Sequence, residues 1–176
     1  QVADKFSSMG ANVVNIFGAS VSTAGVSSGM GGRASLYAED ATAIMRECGD
    51  VVAAASPFVR ASGQIIVGNR NWTPNSIKGG NEHYLSIEGW QIASGRAFTK
   101  KQVEEAARVC LIGNTIAQNL YEGKDPIGQD IRIKDVVFTV IGVLDTKGAD
   151  GMGNDQDDTL ILPWTSTRTR LAGGGG

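Results

Sequence analysis

Residues 83–144 constrain this chain more than any other stretch. Apolar runs there are short, and each is bounded by glycine, proline or aspartate. The run at 109–112 (VCLI) stops at Gly113. Asp125, Pro126, Ile127 and Gly128 spell a turn, and a long apolar run closes at Leu144. Turn residues at such places divide a chain into short packed strands and helices. Within this stretch no recognisable catalytic group stands beside His83. The pattern points to a scaffold that holds or transmits something. Trp90, set among Leu85, Ile87 and Ile92, reads as core.

The rest of the chain extends this picture. Val2, Phe6 and Met9 recur at helical spacing and Gly10 ends the run, so a helix is predicted over 1–9. A strand is predicted over 12–17. Residues 18–35, rich in glycine and serine, read as a mobile loop. Residues 36–48 read as a helix with Glu39 and Asp40 near its positive end, and 51–59 as a strand with Pro57 near its close. A hairpin is expected from 64–67 and 71–78 about Gly68 and Asn69, with Pro74 at an edge or bulge. Thr99 and Gln102 form a capping-box signature. Asn114 is expected to cap the next helix, which Gly123 ends. A second hairpin, 131–133 with 136–143, turns at Lys134 and Asp135. The glycine- and aspartate-rich stretch 145–158 reads as a loop, 159–162 as a strand, and Pro163 as the opening of a last helix over 164–171. Short mixed strands and helices without regular alternation define an α+β class.

Composition removes several functions. The net charge of −2 argues against nucleic acid as a partner, and the lone histidine excludes a multi-histidine metal centre. No apolar run reaches the length of a membrane span. The absence of a starting Met and of a signal peptide suggests an excised piece, and Gly173 to Gly176 read either as an artificial linker or as a native flexible end. Cys48 and Cys110 read as two free thiols.

Each candidate site has a plainer alternative. Gly29 to Arg33 lacks the strand, helix and Gly-Lys-Ser/Thr of a phosphate loop, so a flexible loop is preferred. Asp150, Asn154, Asp155, Asp157 and Asp158 offer oxygen ligands but not EF-hand spacing, so a solvated acidic loop is expected. Glu82 and His83 invite an acid–base reading, but no nucleophile accompanies them in sequence. Arg96, after Gly95, is read as a fork that satisfies carbonyls or a carboxylate between hairpin and helix, with a lobe-to-lobe or subunit contact as the alternative. Asn69, Arg70 and Trp72 form a candidate partner-contacting edge; a half-buried strand aromatic is the alternative for Trp72. Trp164 is expected to pack the last helix. No catalytic residue, cofactor or metal ligand is assigned.

Read in order, these segments resemble the MacB-type periplasmic core domain of ABC-transporter permeases. The resemblance is carried by 6–17 (FSSMGANVVNIF), 38–41 (AEDA), Tyr84, 92–98 (IASGRAF), 111–113 (LIG), 125–128 (DPIG), 139–143 (TVIGV) and 160–163 (LILP). It implies an extracytoplasmic domain between the first two spans of an inner-membrane permease. It also implies a porter-like lobe of 1–62 and 145–176, and an inserted outer lobe of 63–144. Gly95, Arg96, Asp125, Pro126, Gly128 and Gly142 would serve as structural turns and anchors. The implied partners are a second permease copy, a separate ATPase subunit or domain, and an adaptor or exported substrate. The implied role is transmission of ATP-driven motion, without catalysis in this domain. Members of the family usually continue past the last helix with another strand and helix, which this chain lacks. Two readings from other classes accompany this one: a stand-alone ligand-binding module, and a hydrolase using Glu82, His83 and a loop acid.

Overall fold

A computed structural model describes residues 13–16, 38–50 and 54–171. The helix predicted over 1–9 and the loop over 18–35 lie outside the described residues. Of the strand predicted over 12–17, residues 13–16 are described and carry no strand. The chain divides into two compact units, Gln1–Ala55 and Ser56–Gly176.

In the first unit, helix α1 (Ala38–Glu47) has Glu39 and Asp40 in its first turn and Arg46 in its last. These charges complement the helix dipole at both ends.

In the second unit, the sheet strands are β1 (Val59–Ala61), β2 (Ile65–Val67), β3 (Arg70–Trp72), β4 (Ser76–Gly80), β5 (Ile92–Gly95), β6 (Val109–Ile112), β7 (Asp130–Ile133), β8 (Val136–Leu144) and β9 (Thr159–Pro163). The helices are α2 (Tyr84–Glu88), α3 (Lys100–Glu104), α4 (Asn114–Tyr121) and α5 (Trp164–Ser166), the last followed by a wide turn over Thr167–Leu171. The spatial order is β1-β4-β9-β6-β8-β7-β2-β3, with β5 paired to β8 beyond β7. Strand β9 runs parallel to β4 and antiparallel to β6, while β6 runs parallel to β8. The sheet is therefore mixed, and the fold is α+β.

Two cores lie on opposite faces of the sheet, and strand alternation sorts residues between them. Leu160 and Leu162 join Cys110, Ile112, Phe138 and Val140 beneath α4, which contributes Ile116, Leu120 and Tyr121. Ile161 and Leu111 point the other way, to Tyr84, Leu85, Trp90, Phe98 and Val103 around α2 and α3. All five residues of β9 are buried. A strand covered on both faces reads as a continuous apolar run, which is why residues 160–162 (LIL) stand out in sequence. Each fully buried Ile, Leu or Phe side chain contributes roughly 1.5–3 kcal/mol.

Several sequence expectations change. The strand predicted over 51–59 is replaced by chain without regular structure from residue 54, with β1 beginning only at Val59; residues 51–53 lie outside the described residues. The first hairpin forms at Gly68, whose φ of 57° allows the turn. Its second arm ends at Trp72, because Pro74 interrupts it. The chain then crosses to the far side of the sheet as β4. Asn114 is not the cap of α4: Gly113 holds that position with φ −72° and no side-chain cap bond. The left-handed exit is at Glu122, one residue before Gly123.

The Thr99 capping box forms as expected. Thr99 Oγ1 accepts from the Gln102 N–H at 3.2 Å, and Gln102 Oε1 accepts from the Thr99 N–H at 2.9 Å. Replacing Thr99 with alanine is expected to lower stability by about 1 kcal/mol, measured by urea unfolding. An unchanged midpoint would mean that packing of Val103 alone holds α3.

Candidate functional surface

The hairpin tip and the acidic loop are neighbours in the fold. Trp72 Nε1 donates to Asp158 Oδ1 at 2.7 Å, and the other carboxylate oxygen accepts from the Asn75 N–H at 3.1 Å. Trp72 also packs, half-buried, against the α4 side of the core. Arg70 Nη1 donates to the Asn119 carbonyl at 3.2 Å, and the guanidinium pairs with Glu122 at the end of α4. Two of the three candidate contact residues are thus held from within, and Asn69 is exposed at the tip.

The acidic loop is solvated over 151–154, as its composition suggests, but not at its C-terminal end. Asp157 and Asp158 are only 4% and 6% exposed. Asp157 accepts from the N–H groups of Lys147 and Gly148 at 2.7 and 3.0 Å. Asp155 Oδ2 accepts from Thr115 Oγ1 at 2.6 Å, which ties the loop to α4. Asp150 Oδ1 accepts from the N–H groups of Met152 and Asn154 at 2.8 and 2.9 Å. The backbone and side chain of Asn154, with the Met152 N–H, hold the Asp150 carboxyl below the usual carboxylate range. The carboxylates face N–H and O–H donors instead of converging on one point. Among the described residues no group of three or more His, Cys, Asp or Glu is placed to hold a metal ion. The sequence signal for this was position: Asp157 and Asp158 directly precede a run too apolar to be a surface strand.

The turn residues of the predicted scaffold lie along β8. Gly95 and Gly142 face each other across the β5–β8 pair. Gly95 has φ 77°, and a Cβ there would lie 2.2 Å from the Ile141 carbonyl oxygen; a Cβ on Gly142 would lie 2.6 Å from that of Arg96. The Arg96 N–H donates to the Ile141 carbonyl at 3.0 Å, whereas its side chain is exposed and makes no hydrogen bond or ion pair among the described residues. The fork expected from sequence is therefore not formed among the described residues, and Arg96 joins the ladder through its backbone. Asp125 Oδ1 accepts from the Ile127 N–H at 3.0 Å, and the Gly128 N–H donates to Val140 at 2.8 Å. This turn delivers β7 to β8 in register.

His83 Nε2 lies 3.5 Å from Glu82 Oε1, with both side chains partly in solvent. Among the described residues no hydroxyl or thiol hydrogen-bonds the imidazole. Cys110 is fully buried, and burial pushes its thiol well above the ordinary range; Cys48 is exposed and free. Trp164 packs against the α2–α3 core, as expected. The segment Gly29 to Arg33 lies outside the described residues.

An α+β scaffold whose side-chain hydrogen bonds run mostly to its own backbone is the class this geometry defines. The family model described as the MacB-like periplasmic core domain matches residues 1–175, and the chain belongs to that family. It is 43% identical over 166 residues to the macrolide export ATP-binding/permease protein MacB of Syntrophobacter fumaroxidans, covering 94% of this chain and 23% of that protein. The protein of the same name from Rhodopirellula baltica is 38% identical over 171 residues, covering 97% and 24%. The chain thus spans about a quarter of the length of these relatives. In fold it is similar to the periplasmic region of MacB from Actinobacillus actinomycetemcomitans, with TM-score 0.68 and 23% identity over 80% of this chain and 61% of that one. It is also similar to the extracellular domain of the noncanonic ABC-type transporter YknZ from Gram-positive bacteria, with TM-score 0.56 and 18% identity over 65% and 56%.

Proposed function

We propose that the chain is the extracytoplasmic part of an inner-membrane ABC-transporter permease, and that it transmits ATP-driven motion to an adaptor or an exported substrate. The observation that carries this is the match of the periplasmic core family to nearly the whole chain. ATP hydrolysis belongs to a separate ATPase subunit or domain, and the intact permease works as a homodimer. Among the described residues no helix is long and apolar enough to cross a membrane.

In this reading 1–62 and 145–176 lie near the membrane and 63–144 lies outside. Strand β9, from the first portion, sits between β4 and β6 from the second. In this reading, motion applied to 145–176 passes through hydrogen-bonded strands to 63–144. Asn69 at the exposed tip is the proposed contact, with Arg70 and Trp72 holding the hairpin behind it.

The test uses the full-length transporter in membranes and a macrolide as cargo. Gly95→Ala, which disrupts β5–β8, is expected to reduce export by about tenfold or more while ATP hydrolysis stays near its starting rate. Export retained, or hydrolysis falling in step with export at equal membrane abundance, would overturn the proposal.

A further inference from the structure

We propose that the sheet face carrying Arg60 and Lys78 is a docking site for an acidic segment of a protein partner. The two residues stand directly opposite each other on the antiparallel pair β1–β4, so both side chains rise from the same face. Like charges at directly opposed cross-strand positions destabilise a sheet. Neither makes a hydrogen bond or ion pair among the described residues. Lys78 is half-buried, and desolvation lowers its pKa; Glu88 acts on it only from beyond ion-pair range.

The surroundings add to the positive charge. Lys147 Nζ sits 4.2 Å from the centre of the Trp90 ring and donates to the Glu88 carbonyl at 2.6 Å. Glu88 is the acid that acts on both lysines. Lys78 and Lys147 thus share one nearby acid, apart from Asp157, whose carboxylate already holds two backbone N–H groups, and Arg60 adds a third cation beside Lys78. This occurs in a chain whose net charge is −2. A carboxylate bridging Arg60 and Lys78 would relieve their repulsion and gain charge-assisted hydrogen bonds.

The site has an apolar side as well. Phe58 stacks on Tyr84 at 5.9 Å, lies under the Arg60 guanidinium at 5.6 Å, and remains 41% exposed. Strand β1 ends the sheet, so its outer edge has no partner strand among the described residues. An extended segment alternating acidic and apolar side chains fits both features: main-chain pairing along β1, carboxylate on the cations and an apolar group on Phe58. This surface concerns the chain itself and does not depend on the transport reading, so either proposal can fail alone.

The experiment follows backbone amide shifts of the purified chain during titration with a short peptide of alternating glutamate and valine. Saturable shifts at 59–61 and 77–78 are expected, weakened about tenfold or more by Arg60→Gln or Lys78→Gln. Without peptide, Arg60→Gln is expected to raise the melting temperature by about 1–3 °C, because it removes the like-charge pair. Equal binding of the glutamine–valine peptide would overturn the proposal, as would wild-type affinity in both variants or the lack of saturation. Displacement of the peptide by equimolar inorganic phosphate would overturn it in favour of a small-anion site. Binding of phosphatidylglycerol vesicles but not the peptide would overturn it in favour of a membrane surface.

Discussion

Replacing Gly95 with alanine is expected to lower the unfolding free energy by about 3 kcal/mol or more, which is a large share of the stability of a typical domain. Two costs combine. Gly95 has φ 77°, a left-handed conformation that L-residues adopt at a cost of about 1–2 kcal/mol. The added Cβ would also lie 2.2 Å from the Ile141 carbonyl oxygen and 2.9 Å from the Gly142 Cα. Both are backbone atoms in a hydrogen-bonded ladder, so neither can move without opening β5 from β8. Two controls separate the causes. Gly128 has φ 81° with nothing within 4 Å of its would-be Cβ, so Gly128→Ala carries the conformational cost alone, about 1 kcal/mol. Gly113 has an ordinary φ of −72°, but its Cβ would lie 1.9 Å from the Asp157 carbonyl oxygen, so Gly113→Ala carries the contact cost alone. Urea unfolding should rank Gly95→Ala as the most destabilising. Equal losses at Gly95 and Gly128 would show that the close approach of β5 to β8 contributes nothing.

The same positions explain how much of this fold was legible in sequence. Signals that act within a few residues came through. Thr99 with Gln102, Gly68 in the first hairpin, Asp125 with Gly128, and Pro163 at the opening of α5 each satisfy or remove a backbone group nearby. What failed was non-local. The apolar chain at 54–58 looks like a strand in sequence, but strand pairing is settled by a partner, and only Val59 to Ala61 meet β4. Asn114 looks like a cap, but the backbone of Asp157 lies against Gly113, and that contact comes from residues some forty positions away. Nor does any local pattern state that β9 inserts between β4 and β6.

Site legibility followed the same division. The family resemblance was readable because it rests on residue order, and the family match bears it out. The Arg60–Lys78 juxtaposition was not readable, because it depends on the register of two strands separated by a crossover and a hairpin. Arg96 was read through its chemistry, a guanidinium fork, when its position in the ladder is what matters. Aspartates near a loop are read as solvated by default, and here the default inverted the burial of Asp157 and Asp158.

That inversion leads to the second large effect. Asp158→Ala is expected to destabilise the chain by about 2–3 kcal/mol, since hydrogen bonds to a charged acceptor contribute about 1.5–3 kcal/mol each and both sites are only partly shielded from water. The substitution leaves Trp72 Nε1 and the Asn75 N–H without their acceptor. It also removes the bond that fixes β3 to the start of β9, a link across 86 residues of chain. Because Trp72 is the indole concerned, fluorescence reads the local event while urea unfolding reads the global one. Asp158→Ala should shift the Trp72 contribution toward that of a wetter indole, isolated by comparison with Trp72→Phe. Asp158→Asn, which keeps one acceptor oxygen, should recover part of the loss. Arg70, held separately by Asn119 and Glu122, should then keep the hairpin tip near α4 in the asparagine variant but not in Asp158→Ala combined with Arg70→Ala. If Asp158→Ala matches the wild-type midpoint and spectrum, the carboxylate is not what seats Trp72, and the hairpin would have to be held by Arg70 and the packing of Ile65 alone.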